Sequence, residues 1–215
     1  MKIRALFFDL DETLYPFGNK VVYVLGERMN HFISEKLNIS ESEVKGFRDR
    51  LYRTYGTTAK GLVVEYGVDL IDFLKYSHDI DISGFISPMP ELRQILNQIP
   101  LRKYILTNAD RFHATRVLKN LSIFDCFDGI IDVLDVFPDC KPSPKAFEKA
   151  LWMTGIQSAS DCIFFDDFPQ NVDVAHEMGF YAIQVGDRTP AKFADSRIDR
   201  IEDMIHLDLF KEFVL

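Results

Sequence analysis

Short apolar runs that recur along the chain, separated by helical patterns, constrain the fold of this sequence more than any other feature. The runs lie at residues 3–8, 104–106, 129–133, 162–165 and 181–185. The helical patterns between the later runs lie at residues 90–99, 112–121, 143–153 and 170–178. Because short buried strands that alternate with helices form a parallel sheet covered on both faces, the sequence predicts an α/β fold.

A different pattern fills residues 16–88, where only helical periodicity is evident. Apolar residues from Val22 to Ile33 form one helical stripe. Ser40 followed by Glu43 predicts a capping box at the start of a second helix. We therefore expect an all-helical insertion between the first and second strands.

The position of this insertion predicts the domain organisation. Residues 1–15 and 89–215 would form an α/β core, and residues 16–88 would form a helical cap domain. Ligands of parallel sheets bind at the carboxyl ends of the strands, and inserted segments commonly close over such sites. We expect the cap to cover a site at that edge.

Composition and charge narrow the classes of function. A net charge of −8 argues against binding nucleic acid polymers or anionic membranes. No apolar stretch approaches the ~20 residues needed to cross a bilayer, and the start of the chain does not resemble a signal peptide. Three cysteines without regular spacing are typical of free thiols, so we expect a cytoplasmic protein. The sequence gives no indication of the oligomeric state.

Polar residues follow several of the predicted strands. The four groups are Asp9 with Asp11, Thr107 with Asn108, Lys141, and Asp166 with Asp167. Because the carboxyl ends of parallel strands meet at one edge of a sheet, we expect these groups to converge on one ligand site. Each group alone is common in strand ends, turns and surface loops, so the prediction depends on their joint placement.

The residue types in this set suit phosphoryl transfer. The Asp9 carboxylate can attack a phosphate monoester to give an acyl phosphate, and Asp11 can protonate the leaving oxygen and later deprotonate water. The Thr107 hydroxyl and the Asn108 backbone N–H can donate to phosphoryl oxygens. Lys141 can neutralise the charge shared by nucleophile and phosphate.

A carboxylate nucleophile also requires a cation, because its charge would repel the phosphate. Mg²⁺ suits a site made only of oxygen ligands, and it also contacts substrate phosphate. Asp167 would complete the metal shell that includes Asp9. The sequence therefore predicts a Mg²⁺-dependent phosphatase that acts on a small phosphorylated metabolite.

These motifs, in this order, resemble the large phosphatase branch of the haloacid dehalogenase superfamily, and the resemblance covers nearly the whole chain. It implies a Rossmann-like parallel-sheet core with a helical cap. It also implies that Asp9 is the nucleophile, Asp11 the general acid and base, Thr107 the phosphate-binding threonine and Lys141 the motif lysine.

The same resemblance implies a metal site. The backbone carbonyl of Asp11 and the side chain of Asp167 would bind Mg²⁺ directly, whereas Asp166 would act through water. Asn171 matches a polar residue that steadies this loop. Glu12 departs from the pattern, because many members have glycine there, so we expect its side chain to point away from the phosphate.

Several strings narrow the resemblance further. DLDETLYP, RTYGTTAKGL, HDIDI and LTNAD are similar to the pyrimidine 5′-nucleotidase-like subfamily, which implies nucleoside monophosphates such as UMP and CMP as substrates. In the cap loop between Gly56 and Gly61, Thr57 and Thr58 are candidates for binding the leaving group. The alternative is that one of them only caps the next helix.

Other functions remain open from the sequence. A phosphomutase would pass the aspartyl phosphate to a sugar hydroxyl instead of water. A dehalogenase-type hydrolase needs neither Mg²⁺ nor a second acid, so Asp11 and residues 166–167 argue against it. Phosphonate hydrolysis would require a Schiff-base lysine, for which Lys20 and Lys60 are available. A non-catalytic regulatory protein is disfavoured because every core catalytic residue type is present.

The remaining conspicuous side chains are interpreted as structural. His78, His113 and His176 are assigned to hydrogen bonding or helix packing. Arg48 belongs to a cluster of arginines interpreted as a solvated helix face. Trp152 is expected in the core.

Overall fold

The computed structural model describes residues 3–213 and contains a six-stranded sheet in the order β3-β2-β1-β4-β5-β6. The strands are β1 (Ala5–Phe8), β2 (Arg102–Leu106), β3 (Gly129–Ile131), β4 (Cys162–Asp166), β5 (Tyr181–Val185) and β6 (Ser196–Ile198). All neighbouring strands pair in parallel. The predicted α/β fold is therefore confirmed.

Alternation along the strands divides the core into two layers. In β1, Leu6 and Phe8 face one layer, whereas Ala5 and Phe7 face the other, and all four are fully buried. The first layer is covered by α5 (Pro90–Gln98) and α6 (Arg111–Asn120). The second layer is covered by α8 (Pro144–Thr154) and α9 (Pro169–Glu177). A short helix, α7 (Val133–Val136), follows β3.

Helices alone form the segment between β1 and β2. They are α1 (Lys20–Leu37), α2 (Glu41–Tyr55), α3 (Thr58–Tyr66) and α4 (Leu70–His78). Local signals set their ends: Gly56 and Gly67 end α2 and α3 in left-handed conformation, and the Asp69 side chain caps α4. The expected capping box at α2 does not form, because the Ser40 hydroxyl donates to the Glu43 carboxylate instead of accepting a backbone N–H.

The helical segment has its own apolar core, which includes Phe32, Leu51 and Phe73. Two residues that follow β3, Val133 and Cys140, also pack into this cluster. The segment is therefore attached to the sheet through the loop that carries Lys141.

Some elements differ from the sequence prediction. The third apolar run ends as a strand at Ile131, and Val133 begins α7. The sixth strand was not predicted, because its three residues include only one large apolar side chain. Trp152 was expected in the core but is 79% exposed on α8. None of the helices between residues 3 and 213 is both long and apolar enough to cross a membrane.

Candidate active site

The strand order changes direction between β1 and β4, and a crevice opens there beyond the carboxyl ends of the strands. A cavity of about 300 Å³ lies at this point. From the sequence-predicted set, Asp9, Asp11, Thr107, Asn108, Lys141 and Asp167 all line it. The structure thus brings together residues as far apart in the chain as Asp9 and Asp167, which are separated by 158 positions.

Lys141 is the buried cation of the cavity, with 1% of its surface exposed. Its Nζ lies 2.8 Å from Asp9 Oδ1 and 2.7 Å from Asp166 Oδ2. Burial alone would lower the pKa of Lys141, but the charges of Asp166 and Asp9 raise it above its ordinary value. The ammonium is therefore held between two carboxylates.

Asp9 follows β1 directly, and its backbone N–H donates to the carbonyl of Phe165 in β4 over 2.8 Å. This bond fixes the residue at the end of the central strand. Burial raises the pKa of the Asp9 carboxyl, although Lys141 opposes the effect. The carboxylate is presented to the cavity next to a single lysine.

Asp166 is fully buried and surrounded by protein donors. Besides Lys141, it accepts hydrogen bonds from the Asn171 side chain at 2.9 and 3.0 Å and from the Phe168 backbone N–H at 2.8 Å. Asp166 therefore fixes the position of Lys141 and of the loop that begins α9. Asn171, expected to steady this loop, makes that contact.

Asp167 occupies the other side of the nucleophile. Its Oδ1 accepts a hydrogen bond of 3.1 Å from the Thr13 hydroxyl, and that hydroxyl in turn accepts the Asp167 N–H over 3.0 Å. Arg188 pairs with both Asp167 and Glu12. Arg188 was not singled out from the sequence, although it follows β5 at the same edge of the sheet.

Glu12 has a left-handed backbone, with φ of 63°, which explains why glycine suits this position. Its side chain accepts the Gly18 N–H over 2.9 Å and pairs with Arg188. The carboxylate is therefore engaged by protein donors.

The donor set around Asp9 fits a hard divalent cation. Carboxylate oxygens of Asp9, Asp166 and Asp167 lie within 4.8 Å of one another. Burial raises the pKa of Asp166 to about 8 and that of Asp167 to about 6, with repulsion from Asp9 contributing to both. Without a cation, these carboxyl groups ionise only at raised pH. A bound Mg²⁺ would stabilise their ionised form.

Thr107 and Asn108 connect two of the strand ends. The Thr107 hydroxyl accepts the Ala109 N–H over 3.0 Å. The Asn108 side chain donates to the Lys141 carbonyl over 2.9 Å and accepts the Lys141 N–H over 3.0 Å. This reciprocal pair fixes the loop that carries the buried lysine.

Asp11 lies two residues beyond Asp9, and two side chains donate to its Oδ1. Tyr15 Oη lies 2.5 Å away and His113 Nε2 lies 2.8 Å away. Burial alone would raise the pKa of Asp11, but the charge and hydrogen bond of His113, with the bond from Tyr15, hold it below its usual value. His113 was interpreted from the sequence as structural, and the structure places its ring in contact with Asp11.

Helices α1 and α2 form the roof of the cavity. Val22, Gly26 and Met29 contribute from α1, and Arg48 and Tyr52 contribute from α2. Arg48 was expected on a solvated face, yet it is half-buried and lines the cavity. The sequence could have indicated this, because Arg48 lies at helical spacing from Val44 and Leu51, which are buried in the apolar core of the helical segment.

Thr57 and Thr58 are not brought to the cavity. The Thr57 hydroxyl accepts the Lys60 N–H over 3.1 Å and so caps α3, and neither threonine is among the cavity-lining residues. Thr57 therefore makes the helix cap that was the alternative interpretation, and the role in binding the leaving group stays a prediction. For Thr58 the structure gives a place at the start of α3.

Known proteins similar to this chain are found by sequence and by structure. A yeast relative, phosphate metabolism protein 8 of Saccharomyces cerevisiae, is 32% identical over 193 residues, which cover 82% of this chain but 59% of the yeast protein. Glyceraldehyde 3-phosphate phosphatase of Methanocaldococcus jannaschii is 21% identical over 228 residues, covering 95% and 96% of the two chains. The β-phosphoglucomutase of Clostridium difficile has a TM-score of 0.67 at 18% identity, covering 98% of this chain and 96% of that one.

The match to β-phosphoglucomutase shows the fold alone. This chain spans only 59% of the length of the yeast relative. The family assignment rests on a broader match. The family model described as haloacid dehalogenase-like hydrolase matches residues 3–179, which include both strands that flank the nucleophile. The chain belongs to the haloacid dehalogenase-like hydrolases.

Proposed function

We propose that this hydrolase is a Mg²⁺-dependent phosphatase that cleaves a small phosphate monoester through an aspartyl phosphate on Asp9. The observation that carries the proposal is the placement of Asp9 at the floor of the cavity, 2.8 Å from a buried ammonium and two residues from Asp11. A relative named as a phosphatase supports a monoester substrate.

In the first step, an Asp9 oxygen forms a bond to phosphorus while the bond between phosphorus and the leaving oxygen breaks. Asp11 gives its proton to that oxygen, so the leaving group departs as an alcohol. The charge of the bound phosphate raises the pKa of Asp11 for this step. Lys141 and the Thr107 hydroxyl balance charge on the phosphoryl oxygens.

In the second step, Asp11 takes a proton from water as the water oxygen attacks phosphorus. The bond between phosphorus and Asp9 breaks, and inorganic phosphate is released. One carboxyl group therefore serves both half-reactions, first as acid and then as base.

The side chains of Asp9 and Asp167 and the backbone carbonyl of Asp11 would hold Mg²⁺, with Asp166 acting through water and Lys141. When bound, the ion would neutralise the repulsion between the nucleophile and the phosphate. The arrangement of these carboxylates around Asp9 supports this assignment.

Residues 16–88 are proposed to act as a cap domain over the core formed by residues 1–15 and 89–215. Arg48 supports a role for the cap in selecting the leaving group. Its guanidinium bonds the Gly26 carbonyl and Asn30 over 2.8 Å each, and its buried Nε has no hydrogen-bond partner in residues 3–213. A buried donor without a partner carries a desolvation cost, which an acceptor on the substrate would relieve.

The finer proposal is a pyrimidine nucleoside 5′-monophosphate as substrate. Carbonyl and hydroxyl oxygens of such a leaving group would meet Arg48, and its flat ring would lie against Tyr52 and the apolar side chains of α1. The strings shared with the nucleotidase-like subfamily support this class.

The test is phosphate release from UMP, CMP, purine monophosphates, sugar phosphates and phosphoglycolate, with and without Mg²⁺. We expect Mg²⁺-dependent release that is highest for UMP and CMP, and no release by Asp9→Asn. Release that persists in chelator would overturn the metal assignment. Preference for another monoester would replace the nucleotide assignment, and transfer of phosphate to a second sugar hydroxyl without free phosphate would identify a mutase instead.

A further inference from the structure

Buried polar side chains extend from Asp11 toward α6 and the end of α4, and one of them, His78, also lines the cavity. They connect Tyr15 of the loop after β1, His113 of α6, His78 at the end of α4, and Asp110. His113 is fully buried, and His78 and Asp110 are 4% and 5% exposed. The mechanism described above uses none of them directly.

Both hydrogen bonds to the Asp11 carboxyl end on the same oxygen. Tyr15 Oη and His113 Nε2 approach Oδ1, and no donor from residues 3–213 is recorded at Oδ2. Because Oδ1 accepts in either protonation state of the carboxyl group, the two bonds persist when a proton is added at Oδ2. Oδ2 is thus the oxygen left to exchange a proton with substrate or water.

Asp110 and His78 fix the position of His113. Its backbone N–H donates to Asp110 Oδ1 over 2.8 Å, which caps α6. Asp110 Oδ2 also lies 2.5 Å from His78 Nδ1. The His78 ring stacks on the His113 ring, with centroids 4.8 Å apart and planes 25° apart. Asp110 therefore holds the ring of His78, and His78 in turn supports the ring of His113 by stacking on it.

His113 also carries a cost that packing does not explain. Its Nδ1 is buried and has no hydrogen-bond partner in the part of the chain that the structure describes. A buried polar atom without a partner is destabilising, whereas an apolar side chain in the same place would avoid that cost. The Nε2 bond to Asp11 accounts for a histidine at this position.

We propose that His113 is a positioning residue that, together with Tyr15, turns the Asp11 carboxyl group so that Oδ2 delivers the proton to the leaving oxygen. The inference rests on the proposed phosphatase function, since it assigns how its acid is oriented. His113 acts through Asp11 and does not itself touch the substrate.

The test compares two monoesters that differ in their need for an acid. p-Nitrophenolate leaves without protonation, whereas the alcohol of an alkyl monoester such as UMP requires it. In His113→Leu, we expect kcat/KM for UMP, or for the best alkyl monoester of the panel, to fall roughly 100-fold with little change in KM. For p-nitrophenyl phosphate we expect kcat/KM to change less than about 3-fold. This constant includes only the steps up to phosphoryl transfer to Asp9, and in that transfer the p-nitrophenolate needs no proton.

Conservative replacement provides the second arm. The side-chain amide of His113→Gln can donate to Asp11 Oδ1, so we expect this variant to recover most of the activity toward the alkyl monoester. His176→Leu is a matched control, because His176 pairs with Asp195 at the surface of α9, and it should leave the ratio of the two substrates unchanged. Tyr15→Phe removes the other donor to Oδ1. It should lower kcat/KM for the alkyl monoester relative to kcat/KM for p-nitrophenyl phosphate, which keeps the test valid if His113→Leu does not fold.

Equal losses for both substrates, or no loss for either, would show that His113 is structural and would overturn the inference while the phosphatase assignment stands. Failure of the wild-type protein to release phosphate from any monoester, with or without Mg²⁺, would overturn the proposed function and the inference with it. The two failures are therefore separate results of one series of measurements.

Discussion

At the scale of single residues, the site depends on one ammonium placed between two carboxylates. Lys141 contacts Asp9 and Asp166, and both Lys141 and Asp166 are buried. Removing one partner of a buried ion pair leaves charge without compensation, and this costs more than the pair itself contributes. Lys141 is therefore a determinant of stability as well as of the proposed chemistry.

We expect Lys141→Met to lower the free energy of unfolding by about 3–5 kcal/mol, because two carboxylates lose their shared cation. The measurement is urea denaturation in the presence of chelator. In the double variant Lys141→Met/Asp166→Asn, the buried charge is also removed, so the total loss should be smaller than the sum of the single losses. Additive losses would show that the two side chains are not coupled.

Residue types at the strand ends were accessible from the sequence, whereas partners brought by packing were not. Asp9 and Thr107 directly follow recognisable apolar runs and Lys141 lies in the loop beyond another, so their approach to one edge follows from a parallel sheet. His113 reaches Asp11 only because α6 docks with that face inward, and a single histidine in a helix gives no sign of this. Arg188 lies in the loop after β5, and a loop has no periodic pattern from which the direction of a side chain could be predicted.

At the scale of elements, the turn between α2 and α3 connects the helical segment to the loop of the buried lysine. Gly56 has φ of +83°, and a Cβ there would lie 3.2 Å from Pro142 Cδ and 3.8 Å from the Lys141 carbonyl oxygen. Gly67 ends α3 in the same conformation, with φ of +63°, but a Cβ there would meet nothing within 4 Å. The two glycines form a matched pair.

Both Gly56→Ala and Gly67→Ala should lower the free energy of unfolding by about 1 kcal/mol, because alanine is strained in the left-handed region. Only Gly56→Ala should also lower kcat, by several-fold, since its methyl group presses on the loop that positions Lys141. Urea denaturation and phosphate release measure the two effects. An equal loss of kcat in Gly67→Ala would contradict a specific role for the Gly56 contact.

Elements with their own sequence signal were predicted, and elements that depend on neighbours were not. The first five strands and helices α5, α6, α8 and α9 coincide with apolar periodicity. Gly56, Gly67 and Asp69 lie at helix ends, where these residue types are favoured. The sixth strand, Ser196–Ile198, forms by pairing with the edge of β5. The division of the chain into core and cap domains remains a prediction.

At the scale of the whole molecule, a cation is expected to bind the folded protein in preference to the unfolded chain. The carboxylates that cluster around Asp9 come from β1 and β4, so they are together only after folding. A ligand that binds only the native state stabilises it by about 2.7 kcal/mol at 100 times its Kd. Stability should therefore depend on Mg²⁺.

We expect Mg²⁺ to raise the melting temperature in a saturable manner and chelator to reverse the shift. Asp167→Asn should weaken this response, because the site loses a charged oxygen ligand. Asp187→Asn, at an exposed residue beside the same edge, controls for the loss of one negative charge from the surface. Differential scanning calorimetry measures the shift, and an equal response in Asp167→Asn and the wild type would contradict the assigned ligand.

The central position of the first strand has a consequence for synthesis on the ribosome. One edge of β1 pairs with β2, but the other pairs with β4, which begins at Cys162. At about 5–20 residues per second, that edge waits on the order of ten seconds for its partner. During this interval the nascent chain presents an apolar strand with at least one unpaired edge, so chaperones that bind such segments would influence how much of the chain reaches the native state.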